Sequence, residues 1–490
     1  MALFKFVFSK KQLPEIAICF MVCTASYVLL KYCFPFLVTT GDSFNYLFTA
    51  ARHSFGLYRP NGYSKYLFFL SNISGNANAI FPMQMLLYFL TGTFTILTFK
   101  YYYPIKKAWI RYLICFVAMA NPTCLFFTNA MLSDMLFACM LFIMLSCAII
   151  FMKSDSPGIF PILLFTAAFA MALFTRYSAI FLPIVFIPVF LFVKKKSKWL
   201  AVASILAVVV WNYSYVSGNM KSFTVGHKSQ YSTGFSGWQL ANNAMHVVPY
   251  TETTDLDGER DTILKQLHHS IYANREYILE ETGNGKNATA AFLWDEKSPL
   301  KRIQKEFNLV NGVTDPVSYV YLGGLYSRYG KKVILRHPIQ FMKHYLLPNM
   351  ASVFFPKYRG PMEKGTIAYD TRFLNALGYL FPKTSIATIV GKADHDGILK
   401  ISPAASYYEL LTWLAFLAAA VCLFTRKRRL RPLDRSDRLV LWMIVLFGFV
   451  FYGTTAFASP IEIRYWMPMT MLKTGFVWIV AARETSARLL

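Results

Sequence analysis

The chain has 490 residues, 56% hydrophobic and 17% aromatic but only 15% charged, too few charges to cover a soluble protein, which uses about 25%. Ordinary Gly and Pro counts, 25 and 22, exclude collagen-like and low-complexity architectures, and the apolar content excludes disorder. The net charge of +25 is carried by clusters in short connectors between apolar runs, such as Lys194-Lys195-Lys196 and Arg426-Lys427-Arg428-Arg429, where it reads as a topology determinant and not as a nucleic-acid surface.

A basic start at Lys5, Lys10 and Lys11 precedes an apolar run over 13–38 that is too long for a signal-peptide core and has no small-residue cleavage site, so it reads as a retained first span. Crossing the bilayer core takes roughly 20 apolar residues as a helix. On that measure ten spans are expected, at 13–38, 80–99, 109–128, 132–152, 157–175, 177–193, 199–216, 406–424, 439–458 and 461–482. Lys and Arg crowd the segments that become cytoplasmic when the N-terminus lies inside, which predicts both termini in the cytoplasm. The expected fold class is an α-helical polytopic membrane protein, with a bacterial inner (plasma) membrane as its expected location.

Two connectors on the predicted outer side are long. The first, 39–79, carries Phe44, Leu47, Phe48, Ala51 and Phe55 on one helical stripe, as expected of a helix lying at the membrane surface. The second, 217–404, is large enough for a mixed or mainly α soluble domain of its own. It divides the chain into a membrane module at 1–216 and C-terminal membrane helices at 405–490. Within it, 337–356 is apolar but holds Lys343, His344 and internal prolines, and is read as interfacial. All eight cysteines fall in apolar segments and are read as packing residues.

The polar residues that stand out lie where spans end. Asp42, in Thr40-Gly41-Asp42-Ser43, reads either as an N-cap for the surface helix or as a general base where a lipid headgroup and a water-borne acceptor meet. Arg59 and Tyr63 lie in the turn-forming stretch Arg59-Pro60-Asn61-Gly62-Tyr63 of the same loop. Asp134, beside Ser133, is either a helix cap or a second acidic group. Arg176 and Arg464, in Arg464-Tyr465-Trp466-Met467-Pro468, are either snorkelling anchors or forked partners for a phosphate. Asp255-Leu256-Asp257-Gly258 and Asp394-His395-Asp396-Gly397 are read as turns, and His268-His269 has no metal-binding partner pattern. In the outer domain, Trp238 and Asn242-Asn243, within the aromatic stretch 231–250, read either as core or as an acceptor-binding surface.

With Asn121-Pro122 added, this set resembles the GT-C superfamily of polytopic glycosyltransferases over nearly the whole chain outside 217–404. The resemblance implies a polyprenyl-phosphate sugar donor, Asp42 as base, inversion at the anomeric carbon, and an acceptor that is a glycan, a lipid or a protein. Arg59, Arg176 and Arg464 would then surround the donor phosphate, with Asp134, Trp238 and Tyr63 on the acceptor side. No cofactor is required in this reading and no metal ligands are assigned. A divalent cation is without support where Gly41-Asp42 stands in place of the paired acidic residues of many relatives. The rival expectations are a transporter or flippase, which should carry repeats and polar span interiors, and a polymerase of lipid-linked glycans.

Overall fold

The computed structural model describes residues 2–54, 56, 59–155, 158–193, 195, 197–220, 234–258, 260–352, 371–385, 401–425 and 432–487. The principal helices are α1 (Leu13–Cys33), α2 (Gly41–Ala51), α3 (Gly62–Ser74), α4 (Ile80–Tyr102), α5 (Ala108–Met119), α6 (Pro122–Thr128), α7 (Ser133–Lys153), α8 (Phe160–Thr175) and α9 (Leu182–Leu191). They continue with α10 (Lys198–Met220), α11 (Gly234–Met245), α12 (Asp315–Arg336), α13 (Ile401–Thr425), α14 (Arg435–Ala458) and α15 (Met467–Ala487). Among the described residues there is no strand, only an isolated parallel bridge between Val38 and Ala130.

The chain is an α-helical membrane protein. Among the described residues, six helices are long and apolar enough to cross a bilayer: α1 with its preceding turn, α4, α7, α10, α13 and α14. A seventh follows if α5 and α6, bent by 47° across Ala120 and Asn121, are one span. The bend has a local cause. Pro122 disfavours helical backbone at the residue before it, and Asn121 is extended, with its side-chain oxygen accepting from the N–H groups of Thr123 and Cys124 to start α6 afresh. The expected continuous helix over 109–128 is therefore two pieces. Helices α8 and α9 are apolar but shorter, and α15 carries Lys473, Arg483 and Glu484.

Helix α7 is apolar on all sides and is buried along 94% of its apolar window, as expected of a helix surrounded by others. It packs on α4, α8, α14 and α15. Its Ser146 hydroxyl donates to the Phe142 carbonyl at 2.9 Å and lies 3.0 Å from Thr95 Oγ1 of α4, so its polar atoms are satisfied inside the bundle.

The segment after α10 builds a separate apolar cluster around Trp238, Tyr326, Tyr329, Phe292 and Tyr345. Its centre is the crossing of α11 on α12, where a Cβ on Gly237 would lie 1.7 Å from the Gly323 carbonyl oxygen. Only glycine permits that approach. The expected interfacial stretch 337–356 is helical through Ala351 in short pieces, Pro338–Phe341, a π-helical turn at Met342–Leu346 and Leu347–Ala351.

Candidate functional site

Three stitches bring the ends of distant helices to one place. In the first, the chain leaving α1 is sewn to the turn before α7. Val38 N–H donates to the Asn129 carbonyl at 2.9 Å, Met131 N–H returns to the Val38 carbonyl at 2.9 Å, and Ser43 Oγ donates to the Met131 carbonyl at 2.8 Å. This places the first turn of α2, with Asp42, beside the first turn of α7, with Asp134. Neither aspartate is the cap of its helix. Thr40 is the N-cap of α2 and its N–H donates to Ser43 Oγ at 2.9 Å, while Leu132 precedes α7 with no side-chain cap.

The second stitch sets Arg59. Asn61 closes its own loop, accepting from Gly56 N–H at 2.8 Å and donating to the Ser54 carbonyl at 3.2 Å. A Cβ on Gly62 would lie 2.5 Å from the Phe174 carbonyl oxygen, so its absence lets α3 start against the end of α8, next to Arg176. Tyr63 is fully buried behind this wall, its hydroxyl donating to Gln84 Oε1 at 3.3 Å and its ring edge-on to Tyr46 at 5.0 Å. It does not line the cavity described below, and the structure places it among the packing residues behind that wall.

The third stitch holds the 459–466 turn that carries Arg464. Asn349 donates to the carbonyls of Ala456 (2.7 Å) and Ser459 (2.8 Å) and accepts from Ile461 N–H at 2.7 Å. Asn243 of α11 donates to the carbonyls of Phe457 (2.8 Å) and Ala458 (3.2 Å). Open carbonyls at the end of α14 are thereby satisfied by the 234–352 segment, which is fixed over the same opening.

The residues brought together form an alternating network of charge. Arg59 donates to Asp42 Oδ1 from Nη2 at 2.8 Å and from Nε at 3.2 Å. Arg464 Nη1 reaches Asp42 Oδ2 at 3.3 Å and Asp134 Oδ2 at 3.7 Å. Arg176 pairs with Asp134 Oδ1, and Glu462 lies 2.7 Å from Arg464 Nε. The guanidinium groups also sit on rings: Arg59 over Phe235 at 4.7 Å and Arg176 over Tyr465 at 5.0 Å. Behind the carboxylates, the Tyr46 hydroxyl meets Ser133 Oγ at 2.8 Å.

The network faces a cavity of about 390 Å³, within the range of small-ligand sites. One wall is polar, with Asp42, Asp134 and the three arginines; another is apolar, with Phe137, Ile180, Phe181 and Phe451. From above, α11 contributes Phe235, Ser236 and Gln239. The side chain of Asp134 is 2% exposed and that of Asp42 is 18% exposed, so Asp42 is the carboxylate that a bound molecule can reach. Burial alone would raise the Asp42 carboxyl, but the charges of Arg59 and Arg464 outweigh it and hold the group down at about 2. Among the described residues no three His, Cys, Asp or Glu side chains converge in metal-binding fashion.

Trp238 lies elsewhere. It is fully buried, stacked on Tyr319 at 4.6 Å, edge-on to Tyr326, and its indole N–H donates to the Tyr319 carbonyl at 3.0 Å. Of the two readings the sequence allows for Trp238, core or acceptor surface, this placement is that of a core residue, its faces occupied by Tyr319 and Tyr326. Of the wider stretch 231–250, Tyr231 lies outside the described residues, as does the turn expected at 394–397. Asp255 and Asp257 do lie in turns, paired with His337 and His269.

Among the cavity residues not singled out by sequence reasoning are Tyr46, Phe235 and Gln239, the last two inside the wider stretch 231–250. Tyr46 had a faint signal, one helical turn after Asp42; the other two belong to a helix whose placement depends on contacts far away in the chain. Also missed was the ion pair between Glu409 of α13 and Lys473 of α15, at 0% and 1% side-chain exposure. Lys473 donates to Thr412 Oγ1 at 2.8 Å, and Asn121 reaches Thr470 Oγ1 at 2.5 Å. No family model, curated protein or solved structure matches this chain.

Proposed function

We propose that the protein is an inverting glycosyltransferase of the GT-C kind, moving a single sugar from a polyprenyl-phosphate donor to an acceptor at the membrane–water interface. The observation that supports this most is the shared cavity edge, where three arginines from three separate inter-helix segments line one cavity, two of them on one reachable carboxylate, beside an apolar wall. A lipid phosphate asks for that combination: forked cations for its oxygens and an apolar surface next to its tail.

In the proposed step, the acceptor hydroxyl oxygen attacks the anomeric carbon from the face opposite the phosphate. The bond from that carbon to the phosphate oxygen breaks, its electron pair leaves with the polyprenyl phosphate, and the hydroxyl proton passes to Asp42. Arg59, Arg176 and Arg464 stabilise the charge that develops on the leaving phosphate. Asp134 orients Arg176 and Arg464 and does not touch the reacting atoms. No metal enters this scheme.

The proposal includes ten spans, reached by counting α8, α9 and α15 with the seven already described. Both termini are then cytoplasmic, the 217–404 segment is an outer domain, and the membrane is a bacterial inner membrane. Incubating the purified chain with a panel of polyprenyl-monophosphate sugars and simple glycan, lipid and peptide acceptors tests it. Release of polyprenyl phosphate that depends on Asp42 supports the reading; no release from any donor, with donor still bound, removes it.

A further inference from the structure

The stretch 331–350 has two faces. Val333, Ile334, Phe341, Tyr345 and Asn349 are buried against the apolar cluster of the 234–345 segment and the end of α14. The other face turns outward and is also apolar: Leu335 is 79% exposed, Ile339 77%, Met342 49% and Leu347 55%. Leu335 lies in the last turn of α12 and, past the non-helical break at His337, Ile339, Met342 and Leu347 follow at spacings of three and five residues, the wide π turn at Met342–Leu346 absorbing the extra residue. A contiguous apolar stripe turned to water is unusual in a protein surface and marks a contact site.

Two observations identify what covers it. The first is charge: Lys331, Arg336 and Lys343 of this stretch are exposed, and among the described residues none of them pairs with a carboxylate. The second is continuity with the membrane helices. Phe341 packs on Phe457 with ring centroids 5.7 Å apart, and Asn349 bonds to the carbonyls of Ala456 and Ser459, so the stripe adjoins the end of a spanning helix. An apolar stripe flanked by unpaired cations at the rim of a bilayer has the chemistry of an interfacial helix on acidic lipid.

We propose that this face of 331–350 seats on anionic phospholipid, with Leu335, Ile339, Met342 and Leu347 among the upper acyl chains and Lys331, Arg336 and Lys343 on the headgroup phosphates. The seat fixes the 234–352 segment, and with it α11 over the cavity, against the bilayer from a second side. It is independent of any chemistry at the cavity.

The full-length chain in lipid nanodiscs tests this, with a nitroxide at Ile339→Cys and, as a water-exposed reference, at Leu309→Cys, which is 84% exposed. Both sites face outward, so labelling leaves the cores intact. In discs of phosphatidylcholine with phosphatidylglycerol, the label at 339 is expected to relax with oxygen and be shielded from a water-soluble nickel chelate, while the label at 309 behaves oppositely. Reversing the three cations (Lys331→Glu, Arg336→Glu, Lys343→Glu) is expected to move the 339 label toward water in those discs. Equal chelate access at 339 and 309 would overturn the proposal. Shielding that persists after charge reversal and in pure phosphatidylcholine would overturn the anionic requirement, and shielding that appears only with two chains per disc would assign the face to a second copy instead.

Discussion

Arg59 makes both of its donations to a single oxygen of Asp42, Nη2 at 2.8 Å and Nε at 3.2 Å, leaving the second oxygen to Arg464 at 3.3 Å. The carboxylate thus occupies the Nε/Nη2 edge of Arg59. In the proposed reaction, a donor phosphate that takes this edge of Arg59 displaces Asp42 from it, and the same displacement relieves Asp42 of one of the charges that hold it down at about 2. Under the proposed function, Asp42 is then a better base beside the donor phosphate than it is when paired with Arg59.

This exchange gives the first prediction. Asp42→Asn is expected to bind polyprenyl monophosphate more tightly than the parent chain, because the competing negative charge is gone, while losing about a hundredfold or more of any turnover. The parent and variant are compared by calorimetric titration in the same detergent. Weaker binding in the variant would mean that Asp42 organises the arginines and does not compete with the ligand.

Among the described residues, Arg464 is the one guanidinium that reaches both aspartates, at 3.3 and 3.7 Å, whereas Arg176 pairs with Asp134 alone. Arg464→Ala is therefore expected to lower kcat/KM more than Arg176→Ala, by about 3 kcal/mol, the worth of one contact to developing negative charge. Steady-state kinetics on both variants decide the order. Equal, small effects would reduce both residues to helix-end anchors.

What the sequence makes legible here is governed by how local each signal is. Helix-length apolar runs declare the spans, and cations at their ends declare Arg176 and Arg464, because both patterns lie within one turn of the residue concerned. The turn residues around Arg59 are legible too, although Pro60, Asn61, Gly62 and Tyr63 turn out to build the loop and its packing. Burial is not local. Trp238 sits in a mixed aromatic and polar stretch in sequence, and only the crossing of α11 on α12 encloses it. Glu409 and Lys473 each interrupt an apolar run singly, 64 positions apart, and become a pair only once α13 lies against α15.

Trp238→Ala is expected to act on stability and leave ligand affinity unchanged. Deleting a fully buried indole with rings on two sides and a bonded N–H costs about 3–5 kcal/mol. Thermal unfolding of the 234–345 cluster, followed by hydrogen exchange in α11, is the measurement. A variant of parental stability would show that the cluster repacks freely.

For the buried pair, Glu409→Ala is expected to destabilise the chain by about 3–5 kcal/mol, since it strands a charged Lys473 inside the bundle. The double variant Glu409→Leu with Lys473→Met removes both charges and should recover most of that loss. Inactivation rates in detergent distinguish the two. A double variant as unstable as the single one would assign the loss to the Asn121–Thr470 contact nearby and not to the unpaired charge.

Acid should loosen the 234–345 cluster through His246. The ring is buried with both nitrogens used: Nδ1 faces the Asn242 carbonyl at 3.0 Å, so it carries the proton, and Nε2 accepts from Thr289 N–H at 3.0 Å. A second proton on Nε2 would have no acceptor. Burial, partly offset by the Asn242 carbonyl, lowers the imidazole from 6.5 to about 4. The unfolded chain therefore takes up a proton at a pH where the folded chain does not. The contribution is fully present above about pH 6.5 and is lost as pH falls toward 4, by roughly 3 kcal/mol in all. Hydrogen exchange in α11, compared at pH-corrected intrinsic rates between pH 7 and 4.5, is expected to show protection falling in the parent. His246→Gln, which cannot titrate, should show a flatter profile from a lower start. Identical pH profiles in the two chains would place the acid sensitivity on another group.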